Sequence, residues 1–330
     1  MIVNSQYRLF FGLCLMWVAL ILGCGEYTAY QHLDRALRHE GRGHADQALS
    51  AFEEAVASAP QDAYLRRRLG WAYVQRSQFE AAHSELTQAL LIEPHYLAVY
   101  QDLATLAETQ GTPEVAVGWL EKAVQEVPDY MPSYRDLSAV YISMDRLSDA
   151  QVLLEKMVKQ WPKTLWAHYR LGGLFMQLKW PERAEAAFKQ VIDFNPTTEE
   201  DYALFIEAHG ALGNVYYEQK NYDRAIEFYQ KAIDLNPADH SSMNNLAWVY
   251  AVQGTHLQEG IRLSRRSLRL NPHAPTYLDT LAELFYKLGD HKQAEEIVRQ
   301  AIALQPDDPE LRAHLHRQLA KFLSSGLGKA

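Results

Sequence analysis

The chain's nearest approach to a metal-dependent active site is His39-Glu40 with His44. A zinc-hydrolase helix needs its two histidines four residues apart on one face; here they are five apart across Gly41 and Gly43, so the geometry fails. His314 and His316 are two apart and point roughly 200° from one another on a helix, with no third ligand nearby. Gly326-Leu327-Gly328-Lys329 has part of the spacing of a phosphate loop but lacks the following Ser or Thr, a preceding strand and a following helix, and reads as a flexible end. No Gly-x-Ser-x-Gly nucleophile elbow occurs. The two cysteines, Cys14 and Cys24, both lie at the N-terminus, which excludes a disulfide or thiolate zinc site in the body of the chain. The expectation is a protein that is not an enzyme and uses no cofactor or metal.

Cys24 is where modification chemistry is expected. Residues 1–24 run from a short start bearing Arg8 through an apolar stretch, Leu9 to Leu22, to Gly23-Cys24, the layout of a secretory signal. As helix the apolar stretch is roughly 22 Å long, short of the ~30 Å hydrocarbon core. Ile21-Leu22-Gly23-Cys24 resembles the lipobox of bacterial lipoproteins, which implies lipidation of Cys24 and cleavage before it. The alternative is an uncleaved N-terminal membrane anchor. Gly25 after the cysteine is similar to lipoproteins sorted to the outer membrane, with the inner membrane as the alternative. The net charge of −9 argues against nucleic acid as a partner, because an acidic chain repels phosphate backbones.

The remaining sequence is periodic. Pro60, Pro94, Pro128, Pro162 and Pro196 fall every thirty-four residues, and Pro237, Pro272 and Pro306 continue the series after steps lengthened by seven and one. With each proline at position 32, eight units align: 29–62, 63–96, 97–130, 131–164, 165–198, 206–239, 240–274 and 275–308. Position 7 is leucine in seven units, from Leu69 to Leu281; position 8 is small throughout, as Gly70, Gly172 and Gly213 illustrate. Position 11 is mostly aromatic, position 20 mostly alanine, and position 24 large, including Leu86, Phe188 and Tyr229. Spacings of three and four define one helical face, and small residues let two helices cross closely while large ones fill the grooves beside them.

This pattern resembles the tetratricopeptide repeat, most closely at Leu212-Gly213, Tyr216, Ala225, Tyr229, Ala232 and Pro237. The resemblance implies an all-α fold, a right-handed α-solenoid of eight tetratricopeptide helical hairpins: repeats 1–5 over 29–198 and repeats 6–8 over 206–308. Residues 199–205 are an insertion expected to extend a helix, because Thr198 followed by Glu199, Glu200 and Asp201 reads as a helix start; it could also divide the array. A capping helix over 309–323 and a flexible tail over 324–330 complete the chain. The seventh unit, with Gly260 and Ser264 in place of Ala and a large residue, is expected to pack loosely.

In the family the first helix of each unit lines the concave surface. Carried over by position, the partner-binding groove comprises Tyr64, Arg67, Trp71, Arg135, Trp166, Tyr169, Asn214, Tyr217, Asn244, Trp248 and Tyr286. Exposed aromatics among polar groups suit a peptide or a partner helix. Asn214 and Asn245 match the asparagines of the family's carboxylate clamp, but Gly210, Thr276 and Thr280 replace its cations, so a clamp is rejected. Arg262, Arg265, Arg266 and Arg269 form a stripe on one helix face that could meet anionic headgroups or an acidic partner. The expected function is a membrane-anchored scaffold facing the periplasm that binds envelope proteins; the alternative is an inner-membrane-tethered assembly factor for protein export, cytochrome maturation or polysaccharide secretion.

Overall fold

A computed structural model describes residues 24–327 and holds seventeen helices and no strand among them. The signal and lipobox residues before Cys24 lie outside the described residues. The helices follow one another as α1 (Cys24–Glu40), α2 (Ala45–Ser58), α3 (Ala63–Gln75), α4 (Phe79–Ile92), α5 (Leu97–Thr109), α6 (Pro113–Glu126), α7 (Met131–Ser143) and α8 (Leu147–Gln160). Then come α9 (Leu165–Gln177), α10 (Pro181–Asp193), α11 (Glu199–Glu218), α12 (Tyr222–Leu235), α13 (His240–Gln253), α14 (Leu257–Leu270), α15 (Pro275–Leu288), α16 (His291–Ala303) and α17 (Pro309–Leu327). They pair as eight hairpins followed by α17, the expected all-α array. None of the described helices is long and apolar enough to cross a membrane.

The close crossings anticipated from the columns are present. A Cβ on Gly213 would lie 2.5 Å from the Tyr229 ring and one on Gly172 2.5 Å from the Phe188 ring, so each glycine is the space its partner's ring occupies. The alanines of position 20 are buried in every unit that has one. A further column was not read from the sequence. Position 15 has positive φ in all eight units: Gly43, Ser77, Gly111, Asp145, Lys179, Lys220, Gly254 and Gly289. This left-handed residue turns the chain between the helices of each hairpin, and in half of the units the fold imposes it on a residue other than glycine. In the seventh unit a second left-handed residue, His256, takes up the one-residue insertion.

Two compact units divide between Leu153 and Leu154, inside α8, and not at residues 199–205. The insertion lengthens α11 to twenty residues against thirteen for α9, and the added part buries Leu204. Thr198 caps α11 by accepting from the Asp201 N–H at 3.0 Å, and Asp201 answers with hydrogen bonds to Thr197 and Thr198. Such a cap contributes about 1 kcal/mol. Burial alone would raise the Asp201 carboxyl, but the hydrogen bonds from Thr197 and Thr198 hold it below its ordinary value.

Two expectations are corrected. The capping helix does not stop at residue 323 but continues to Leu327, so the first part of the expected flexible tail is helical; Ser324 bonds back to the Lys321 carbonyl at 2.8 Å instead of ending the helix. The seventh unit is not loose. Leu284 of the following hairpin fills the space over Gly260, and Ser264 is fully buried with its hydroxyl on the Tyr277 carbonyl.

Candidate functional site

Within the first unit, consecutive first helices are joined by polar rungs. Arg67, at position 5 of its repeat, grips Asp102, at position 6 of the next, with Nε at 2.5 Å and Nη2 at 3.2 Å. One repeat on, Gln101 reaches Asp136 at 2.5 Å in the same register. Arg68 pairs with Glu40 at 2.6 Å. Arg67 therefore staples α3 to α5 instead of standing free in a groove. Trp71 and Arg135 are half-buried, whereas Tyr64 is exposed. A cleft of about 500 Å³ beside the Gln101–Asp136 rung is lined by small residues, including Ala104, Thr105, Ala139 and Ser143.

In the second unit the sixth repeat has no side chain that could form a rung in this register, and a cleft of about 430 Å³ lies there. Every repeat but the sixth has a polar side chain at position 6, and every repeat but the sixth has a side chain beyond Cβ at position 5; the sixth has Gly210-Ala211. Tyr169 on α9 therefore has Ala211 at the rung position of the next repeat, and Asn245 on α13 has Gly210 at that of the preceding one; all four residues line the opening. A Cβ at position 210 would fall 2.9 Å from Ser242 Oγ and 3.8 Å from Asp239 Oδ2, so the floor is open because residue 210 is glycine. One wall is α11, with Ile206, Glu207 and Asn214; the other is the turn and first residues of α13, with Asn236, Asp239, His240 and Ser241.

The polar groups of this cleft are held in place. Asn214 Oδ1 accepts from the Tyr229 hydroxyl at 2.7 Å and from Asn245 Nδ2 at 2.9 Å, which aligns the two amides side by side. Asp239 caps α13 through Oδ1, 3.0 Å from the Ser242 N–H. His240 Nδ1 is 2.7 Å from the Tyr277 hydroxyl. Burial and the neighbouring Glu207 carboxylate push the Tyr169 phenol up to about 12, so it stays protonated and donates to Glu207.

The other groove residues of this unit are more engaged than their positions suggested. Trp248 donates its indole N–H to the Tyr217 hydroxyl at 2.7 Å, a rung between α11 and α13. Asn244 is buried at 6% exposure with Oδ1 unpartnered, so it belongs to the packing and not to an exposed groove. Tyr286 is covered by α17, its ring stacked on Phe322 at 4.8 Å with Lys321 Nζ 4.3 Å from its centre. Trp166 is half-buried with the Arg170 guanidinium 5.7 Å from its ring. In the arginine stripe, Arg262 pairs with Glu259, Arg266 is half-buried and donates to the Pro237 carbonyl at 2.5 Å, and Arg265 lies over Phe285. Among the described residues no three His, Cys, Asp or Glu side chains gather as a metal site; His314 is bound to Asp279 at 2.9 Å.

Tetratricopeptide repeat profiles match residues 39–103, 167–198, 206–239, 228–260 and 275–321, together more than half of the chain. The chain belongs to the tetratricopeptide repeat family. No curated protein matches it over its sequence. Among solved structures it is similar to a tetratricopeptide repeat protein from Parabacteroides merdae ATCC 43184, at 15% identity and a TM-score of 0.57, covering 78% of this chain and 98% of that one. It is also similar to a chain of the APC/C hetero-tetramer Cut9-Hcn1, at 14% identity and a TM-score of 0.54, covering 83% of this chain and 52% of that one. Both likenesses concern the fold.

Three of the tetratricopeptide positions singled out by sequence come together: Tyr169, Asn214 and the clamp-like Asn245 line one cleft. Glu207 holds one of the family's groove positions, whereas Gly210, Ala211 and Asp239 were not selected as site residues. Their signal was present as a gap, since Gly210-Ala211 is the pair of small residues in two columns otherwise occupied by larger side chains.

Proposed function

We propose that the protein is a non-catalytic scaffold that binds an extended segment of a partner protein in the cleft between its sixth and seventh repeats and is anchored to a bacterial envelope membrane through Cys24. The observation that carries the binding reading is the pair of asparagine amides, Asn214 and Asn245, preorganised beside the opening over Gly210-Ala211. A side-chain amide offers one donor and one acceptor in the geometry of a main-chain peptide group, so paired asparagines hold an extended backbone without dictating its side chains. The cleft's volume lies in the range of ligand sites. Fluorescence anisotropy with the full chain and randomised nonapeptides tests this. Gly210→Gln, which returns a side chain to the rung, should weaken binding at least tenfold with the melting temperature within a few degrees; unchanged binding sinks the reading.

The anchoring reading rests on Ile21-Leu22-Gly23-Cys24. Helix α1 begins at Cys24 itself, so residues 25–28 belong to the first helix and a lipid on Cys24 would hold the array against the bilayer without a flexible spacer. Labelled palmitate should enter the wild-type chain in cells and not Cys24→Ala, whose precursor should also fail to shorten. Label in the variant would overturn the lipid anchor.

A further inference from the structure

We infer that the ligand of this cleft presents an arginine or lysine side chain, which occupies the place of the missing position-5 residue and completes the rung from outside. The inference rests on the peptide reading above and names the chemistry of its ligand. The cleft is the site; its charges set what it accepts. Glu207 on α11 and Asp239 at the start of α13 contribute carboxylates from opposite walls, and no lysine or arginine lines the opening. Neither acid is in an ion pair among the described residues. Three other carboxylates on first helices have cationic partners supplied by the chain: Asp102 has Arg67, Glu40 has Arg68, and Glu283 has Lys321.

Position 5 is the source of that cation in Arg67, and the sixth repeat has replaced it with Gly210. The space left over Gly210 faces Asp239 Oδ2, the oxygen not used in capping α13. Glu207 keeps lone pairs beyond the one that accepts the Tyr169 proton. The Tyr169 ring adds an aromatic wall that a guanidinium can lie against. An acidic ligand is disfavoured by the same two carboxylates, in keeping with the absence of the clamp cations.

The test uses fluorescein-labelled nonapeptide pools, randomised except for a central residue fixed as arginine, lysine, citrulline or glutamate, titrated into the full chain. Arginine and lysine pools should bind about tenfold or more tightly than the citrulline pool, with glutamate weakest, and the preference should shrink as salt rises from 50 to 500 mM. Glu207→Gln/Asp239→Asn should erase the difference between the arginine, lysine and citrulline pools with the melting temperature within a few degrees, since Gln still accepts from Tyr169 and Asn still caps α13. If all pools bind alike and all lose affinity in Gly210→Gln, the charge inference is wrong and the peptide cleft stands. If no pool is sensitive to Gly210→Gln, the cleft itself is wrong, and the inference falls with it.

Discussion

Replacing Tyr229 with alanine should destabilise the second unit by about 3–5 kcal/mol, the cost of emptying a buried aromatic site. The ring is 2% exposed and occupies the gap that Gly213 leaves in α11, while its hydroxyl holds Asn214 in register with Asn245. Tyr229→Phe keeps the ring and loses one hydrogen bond, so its cost should be about 1 kcal/mol, with a larger proportional effect on peptide binding than on folding. The two variants therefore separate packing from the asparagine pair. A second comparison tests the crossing itself. Gly213→Ala alone drives a Cβ into the ring and should cost about 1–3 kcal/mol, but joined to Tyr229→Leu it recreates the pairing found at Ala104 and Leu120. The double variant should be more stable than the sum of the single losses, because the two sites share one gap. Urea unfolding followed by amide exchange in α11 and α12 measures each effect. Additive losses would mean that the glycine and the ring are not coupled.

That crossing was legible in the sequence because it repeats: a small residue in one column faces a large one in another in seven of the eight units. The helix start at Thr198 was legible for a different reason, since capping is local and its residues are adjacent. Contacts between repeats were harder to read. Arg67 was placed on the correct face, but its bond to Asp102 spans thirty-five residues, and nothing in either residue alone distinguishes a staple from a free binding group. Tyr286 was misread for a similar reason, because the side chain that covers it comes from α17, beyond the repeats whose columns were compared. The left-handed column at position 15 is hidden by Lys179 and Lys220, which take that conformation because the hairpin requires it and not because lysine prefers it. The cleft is the converse case. Its cause is the absence of side chains beyond Cβ at residues 210 and 211, and selecting large or charged residues passes over an absence.

Phe322→Ala should release α17, with a loss of about 3–5 kcal/mol in its docking. Phe322 is 1% exposed and stacked on Tyr286, and beside it Lys321 contacts both oxygens of the buried Glu283 at 2.8 and 3.0 Å. Burial raises the Asp279 carboxyl above its ordinary value even though His314 and Lys321 pull it down, so at neutral pH this carboxylate is held at a desolvation cost that its partners do not fully offset. In a repeat array an end helix is coupled only to its neighbour, so the loss should stay local. Amide exchange in α17 should accelerate by two or more orders of magnitude while α11 and α12 remain protected, and the uncovered apolar face of α15 and α16 should promote self-association. Unchanged protection of α17 would place its stability in the polar contacts instead, and uniform loss across the second unit would show that the capping helix is integral to that unit's core.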